Sequence, residues 1–303
     1  MQEILEQALK EGRAQIEKGE VASYIPELAK ADKNHLGICI FTKEGERFEA
    51  GDTQTRFSIQ SISKVISLAM ALEKCGFERV FEKIGMEPSG DAFNSLIKLD
   101  MVSDAPYNPM INSGAIAVTG FLTEVVSFET MLEFARKLCM DPQIEVNRAV
   151  FYSEMENLSR NRAIAYLLES KGVIKTNVES CLELYVQMCS LNVTAKSLAG
   201  LGLVLANGGM HPESGARLLD PDVVRIVKTI IFTCGMYDGS GEFAVSVGIP
   251  TKSGVGGGLL SVVNKKMGIG IYGPSLDKKG NSIAGRAALK YLSEHLGLHM
   301  FAS

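Results

Sequence analysis

FSIQSISKVISLAMALEKCG, residues 57–76, is the stretch around which the rest of the chain is read. Between Val65 and Leu72 the only polar residue is Ser67, and apolar side chains occupy every side of the helical wheel. A helix apolar all round is a buried one. Its first turn nevertheless carries Ser61 and Lys64, and a spacing of three puts both on one face. A lysine at the mouth of a buried helix is partly desolvated, which lowers its pKa and favours the neutral amine. A neutral amine beside a hydroxyl can take its proton and leave a nucleophile. The free N–H groups of a helix start also favour developing negative charge.

The Ser-x-x-Lys pattern occurs three times, at Ser61/Lys64, Ser95/Lys98 and Ser275/Lys278. The last precedes Lys279-Gly280 in a polar loop, and the middle one reads as a surface turn of a short helix. Only the first opens a long apolar helix. Taken alone, that pair is equally well read as a helix cap followed by a solvated lysine.

The whole chain narrows the options. Its 303 residues allow one large domain or two. With 46% hydrophobic and 22% charged residues it has the composition of an ordinary globular protein. A net charge of −4 without a basic block argues against a nucleic-acid partner. The first twenty residues are an amphipathic helix broken by charges, unlike a signal peptide. No apolar run approaches the roughly 18 residues of a membrane span. The expectation is a cytoplasmic protein with no membrane partner. The six cysteines are scattered among apolar neighbours with no C-x-x-C pair, and read as reduced core residues. Of the four histidines, His295 and His299 read as the exposed side of a C-terminal helix, and no metal or cofactor is expected. No histidine has a catalytic context, which weakens a Ser-His-Asp or Cys-His reading.

Along the chain, residues 36–42 read as a buried strand and 47–50 as its return, with a turn at 43–46. From Glu78 to about Thr233 helical patterns dominate, at 128–139, 161–168, 177–191, 195–206 and 222–233. Residues 243–247, 258–263 and 267–272 read as strands, with a hairpin turn at Asn264-Lys-Lys, and 283–296 as a closing amphipathic helix. The expected fold is therefore mixed α/β (α+β): an antiparallel sheet built from both termini and flanked by helices. Residues 1–76 with 234–303 would form the sheet subdomain and 77–233 an inserted helical subdomain, with the Ser61 helix at their junction, where ligand clefts are common. Gly268-Ile-Gly270-Ile-Tyr-Gly273 matches a dinucleotide fingerprint but runs into Pro274 with no helix behind it, so its glycines read as sites of close packing.

Lys252-Ser253-Gly254 and Tyr185-Val-Gln187 complete a larger pattern. Penicillin-binding proteins and β-lactamases use Ser-x-x-Lys, a middle motif and Lys-[Ser/Thr]-Gly in that order. Here the order holds, but the middle motif is neither Ser-Asp-Asn nor Tyr-x-Asn. From about Tyr24 to Leu296 the chain more closely resembles the serine-dependent glutaminases of the same superfamily. The resemblance is carried by Tyr24-Ile-Pro-Glu-Leu, Gln60-Ser61-Ile-Ser-Lys64, Asn108-Pro-Met-Ile-Asn112, Ser153-Glu154, Arg160-Asn161, Tyr185-Val-Gln-Met-Cys-Ser, Leu205-Ala-Asn-Gly-Gly, Cys234-Gly-Met-Tyr237-Asp and Lys252-Ser-Gly-Val255-Gly-Gly-Gly.

The resemblance implies a β-lactamase/transpeptidase-like fold and hydrolysis of L-glutamine to L-glutamate and ammonia, without metal or cofactor. It implies Ser61 as nucleophile, Lys64 as base, and Tyr237, assisted by Tyr185, as proton relay. The oxyanion would rest on the N–H groups of Ser61 and Val255. Glu154 would pair with the substrate ammonium. Asn112, Asn161 and the tyrosine hydroxyls would hold the carboxylate, and Tyr24 and Gln60 would complete the wall. A homodimer or homotetramer is expected from the same resemblance. A β-lactamase or D,D-peptidase-like hydrolase is the alternative that shares the Ser/Lys framework.

Overall fold

The computed structural model describes residues 1–89 and 105–302. Helix α1 (Gln2–Arg13) leads to the antiparallel strands β1 (Gly37–Thr42) and β2 (Arg47–Gly51). A two-residue strand, β3 (Phe57–Ser58), delivers the chain to a 3-10 turn at Gln60–Ile62 and then to helix α2 (Ser63–Cys75). After α3 (Phe77–Phe81) come α4 (Asn112–Thr123), α5 (Phe128–Cys139), α6 (Arg148–Glu156), α7 (Ser159–Ser170) and α8 (Val178–Cys189). Strand β4 (Asn192–Val193) precedes α9 (Ala195–Ala206), α10 (Pro221–Cys234) and α11 (Ser240–Ser246). Strands β5 (Thr251–Ser253), β6 (Gly258–Val263) and β7 (Met267–Tyr272) and helix α12 (Ile283–Leu296) close the chain.

The main sheet runs β2-β1-β7-β6-β5, every neighbour antiparallel. Ile38 faces Ile271 across β1 and β7, so the two ends of the chain meet in the middle of the sheet. Strands β1, β6 and β7 are buried along their whole length because both faces are covered. On one face Ile38, Ile40, Leu259, Ile269 and Ile271 pack against Leu5 and Ala8 of α1 and Leu289 and Leu292 of α12. On the other, Cys39, Leu260 and Val262 join the core that holds α9 and the remaining helices. This is the expected mixed α/β antiparallel sheet flanked by helices.

Gly268 and Gly270 explain the false dinucleotide motif. A Cβ at Gly270 would lie 1.9 Å from the Ala195 carbonyl oxygen, and one at Gly268 2.1 Å from the Leu203 nitrogen. The bare backbone of β7 is the groove into which α9 sinks. Helix α9 therefore packs directly on the sheet, although it lies within the 77–233 stretch.

The buried helix read from residues 57–76 is found at the centre of the core: Ser63 through Leu72 are all buried. Local chemistry sets several other boundaries. Thr194 and Ser197 form a reciprocal capping box at α9, Asp220 caps α10 with Pro221 behind it, and Gly297 ends α12 in the left-handed conformation. Two expectations are corrected. Residues 243–247 are not a strand but the end of α11 and its cap: Phe243 and Val247, four apart, are buried, while Val245 between them is 83% exposed, a helical period. His299 lies beyond the end of α12, packed against Gly248, and only His295 is on the helix. Helix α4 is buried on all sides and so carries no amphipathic period in the sequence. The Ser95/Lys98 pair lies outside the described residues.

Candidate active site

Ser61 sits in the 3-10 turn that feeds α2, and it is 7% exposed. The turn is pinned from outside. The Ile59 N–H donates to the Leu191 carbonyl at 2.8 Å, beside the β3–β4 pair. Gln60 takes a left-handed φ of 49°, which a residue with a Cβ rarely adopts. That conformation is held by its surroundings, as backbone strain at a functional turn must be.

Lys64 is 2% exposed at the start of α2. Its Nζ donates to Asn112 Oδ1 at 2.7 Å and to the Met110 carbonyl at 3.2 Å. Burial lowers its pKa to about 8, opposed by nearby Cys189 and Glu154. Asn112 in turn donates through Nδ2 to Asn161 Oδ1 at 3.1 Å. The first turns of α4 and α7 thus meet over the lysine.

Glu154, on α6, is buried, and Gln60 Nε2 donates to its Oε2 at 3.3 Å. Burial raises its pKa to about 7, opposed by the Gln60 bond and by Lys64. Tyr185 and Cys189 are four apart on α8 and so face the same way. Burial raises both, the Cys189 thiol to about 12. Cys189 Sγ lies 3.6 Å from Ser63 Oγ, two residues from Ser61. Tyr24 as a residue is 55% exposed, but its hydroxyl lies within the field of Glu154, Tyr237 and Cys189, and its pKa is raised, first by desolvation.

Tyr237 has the second left-handed φ of the site, 53°. Burial raises its pKa above the usual tyrosine range, opposed by interactions with the Ser61 hydroxyl and the Val255 backbone N–H. Val255 is 6% exposed in the turn between β5 and β6. That turn lies against the Ser61 loop because its glycines permit it. A Cβ at Gly254 would lie 2.8 Å from the Ile59 carbonyl oxygen, and one at Gly256 2.4 Å from that of Ser58. Lys252, on β5, is fully buried below the Tyr237 ring.

The ten residues singled out in the sequence therefore share one neighbourhood, linked by the contacts above. Sequence reasoning did not assign Cys189 or the Met110 carbonyl to the site. The four-residue step from Tyr185 was the available signal for the first, and none existed for the second. A cavity of about 420 Å³ opens beside Tyr24 and Val255, lined also by residues 18–23 and 276–280. A larger cleft of about 640 Å³ lies elsewhere, among Arg47, Arg56, Arg136, Asp141, Lys196 and Glu213, and holds none of these residues.

An antiparallel sheet built from both chain ends, with Ser-x-x-Lys entering a buried helix beside a Lys-Ser-Gly edge strand, defines the β-lactamase-like class. The comparisons narrow the class. A family model described as Glutaminase matches residues 19–301. The chain is 50% identical to "Glutaminase 2" of Clostridium perfringens and 50% identical to a glutaminase of Fusobacterium nucleatum, covering 99% of this chain and 100% of each relative. Among solved structures it resembles a probable glutaminase of Bacillus subtilis complexed with 6-diazo-5-oxo-L-norleucine. There the TM-score is 0.89 and the identity 35%, over 98% of this chain and 96% of that one. The chain belongs to the glutaminase family.

Proposed function

We propose that this protein hydrolyses L-glutamine to L-glutamate and ammonia through a glutamyl-ester on Ser61. The observation that carries the mechanism is the lysine: Lys64 is buried, its pKa is lowered to about 8, and two acceptors hold it one helical turn from Ser61. A neutral amine uses its two N–H bonds on Asn112 and Met110 and keeps its lone pair for the Ser61 proton. Ser61 Oγ then bonds to the side-chain amide carbon of glutamine. The oxyanion that forms is received by the N–H groups of Ser61 and Val255, donors of a kind worth roughly 3 kcal/mol each in a transition state. The C–N bond breaks as Tyr237 passes a proton to the departing nitrogen, and ammonia leaves. Water attacks the ester, its proton returns through the same groups, and glutamate and free Ser61 result.

Glu154 receives the α-ammonium of the substrate, and Asn161, Tyr24 and Tyr185 receive its carboxylate. Pairing both charges is what makes their burial tolerable. Gln60 keeps the Glu154 carboxylate in place. Asn112 faces the substrate from the Lys64 side, where its oxygen also orients the base. The family relationship supports the substrate. So does a Bacillus subtilis glutaminase, 34% identical, described as a covalent complex with 5-oxo-L-norleucine formed by reaction with 6-diazo-5-oxo-L-norleucine. That reagent is a glutamine skeleton with a diazoketone in place of the amide, a group that loses dinitrogen as it alkylates a nucleophile.

The proposal extends to a homodimer or homotetramer working in the cytoplasm. It also treats residues 1–76 with 234–303 and residues 77–233 as the two walls of a single catalytic unit. Among the described residues no single helix is long and apolar enough to cross a membrane.

Ammonia release from L-glutamine tests the reaction, with L-asparagine and a chromogenic cephalosporin in parallel. Release from glutamine, lost in Ser61→Ala, is expected. Undiminished release in Ser61→Ala would sink the mechanism, and turnover of the cephalosporin alone would move the substrate to the β-lactam class.

A further inference from the structure

Lys252 is the second fully buried lysine near the reaction centre, and the mechanism above does not use it. Its side chain has no exposed surface, so it cannot reach a substrate. Its Nζ donates to the Gly235 carbonyl at 3.2 Å and to the Ser253 carbonyl at 2.5 Å, and it stands 4.6 Å from the centroid of the Tyr237 ring. The placement of these partners is informative. Gly235 is two residues before Tyr237, and Ser253 is two residues before Val255. One amine therefore ties together the backbone upstream of the relay hydroxyl and the backbone upstream of the oxyanion N–H. The Gly235 carbonyl also accepts the Ser253 N–H at 3.0 Å, and a Cβ at Gly235 would lie 1.8 Å from the Thr251 oxygen. The two segments meet backbone to backbone, and the Lys252 amine bonds to both.

We propose that Lys252 is a positioning residue for Tyr237: by bridging the Gly235 and Ser253 carbonyls under the ring, it fixes the Tyr237 hydroxyl against Ser61 and the Val255 N–H. Tyr237 needs such a hold. Its left-handed φ is unfavourable for a residue with a Cβ, and the helix beyond it, α11, is short and carries an exposed flank. A relay must be placed to a fraction of an ångström, and a misplacement of about 1 Å can cost on the order of 10²-fold in rate. Burial and the charge of Lys64 press the pKa of Lys252 down, whereas two carbonyls and a ring face surround the nitrogen with acceptors. Donation to the carbonyls needs only two N–H bonds, so the bridge survives whether or not the third proton is present.

The inference rests on Tyr237 being the relay, and a double-mutant cycle separates the two claims. Lys252→Met keeps an unbranched stem one atom shorter and removes the donors; Lys252→Gln keeps two N–H bonds and removes the charge. We expect Lys252→Met to lower kcat by roughly 10²-fold, with KM for glutamine within about threefold of the parent. Lys252→Gln should recover most of that loss. In a Tyr237→Phe background, Lys252→Met should change kcat by no more than about threefold, because residues acting as a unit are non-additive. Thermal unfolding of each variant verifies that it is folded, and Lys252→Leu, which also lacks the donors, carries the cycle where the Met variant is not. Full additivity with Tyr237→Phe, a loss confined to KM, or parental kcat in Lys252→Met would each overturn the role of Lys252. Parental kcat in Tyr237→Phe would instead remove the relay, and the positioning role with it.

Discussion

Lys64 and Glu154 are two buried groups of opposite kind, and burial is the main cause of the pKa shift in both. Desolvation lowers the lysine to about 8 and raises the carboxyl to about 7. In the proposed reaction the first must be neutral and the second ionised. Both conditions are met as pH rises, so kcat/KM should climb between about pH 6 and 8.5, which a stopped ammonia assay across pH would show. Glu154→Gln should raise KM by roughly 10²-fold or more, the usual cost of leaving a buried charge without its partner. The same substitution has a stability sign. A folded pKa raised above the unfolded value means the carboxyl costs nothing below its unfolded pKa and an increasing amount as pH rises to about 7. Thermal unfolding should thus find Glu154→Gln more stable than the parent at pH 8, by up to about 3 kcal/mol, and not at pH 4. Equal gains at both pH values would mean that the carboxyl titrates normally.

At the scale of elements, the site depends on bare backbone at two contacts. Gly254 and Gly256 let the turn after β5 lie on the Ser61 loop, and Gly268 and Gly270 let α9 lie on β7. A side chain at Gly270 meets the backbone of α9, which cannot move aside as a flexible side chain would. Gly270→Val is expected to destabilise the fold by more than the ~1–3 kcal/mol usual for overpacking, measurable as a large drop in Tm. Retained stability would mean that α9 shifts easily on the sheet. The effect should reach the site as well, because α9 follows β4, and β4 holds β3 and the Ser61 turn in register.

On the scale of the whole molecule, light scattering at assay concentration is expected to give twice or four times the mass of the chain. A monomer with full activity would show that one chain suffices. The sequence by itself determined the fold class, because the buried helix of residues 57–76, the strands at 36–50 and 258–272 and the closing helix each carry a clean hydrophobic period or a run too apolar to face water. It also pointed to the candidate site residues, because the blocks around Ser61, Tyr185, Tyr237 and Lys252 resemble those of one family in one order. It misread residues 243–247, where five residues are too few to separate a period of two from one near four. Only the tertiary structure decided how those residues act on one another. Asn112 is an acceptor for Lys64, Lys252 lies under Tyr237, and Val255 is brought to Ser61 by contacts between segments some 190 residues apart along the chain. Such pairings are absent from local sequence patterns because they are set by the sheet register and by helices packing across it. The pKa values are likewise products of burial, and burial exists only once the chain has closed around the lysine and the glutamate.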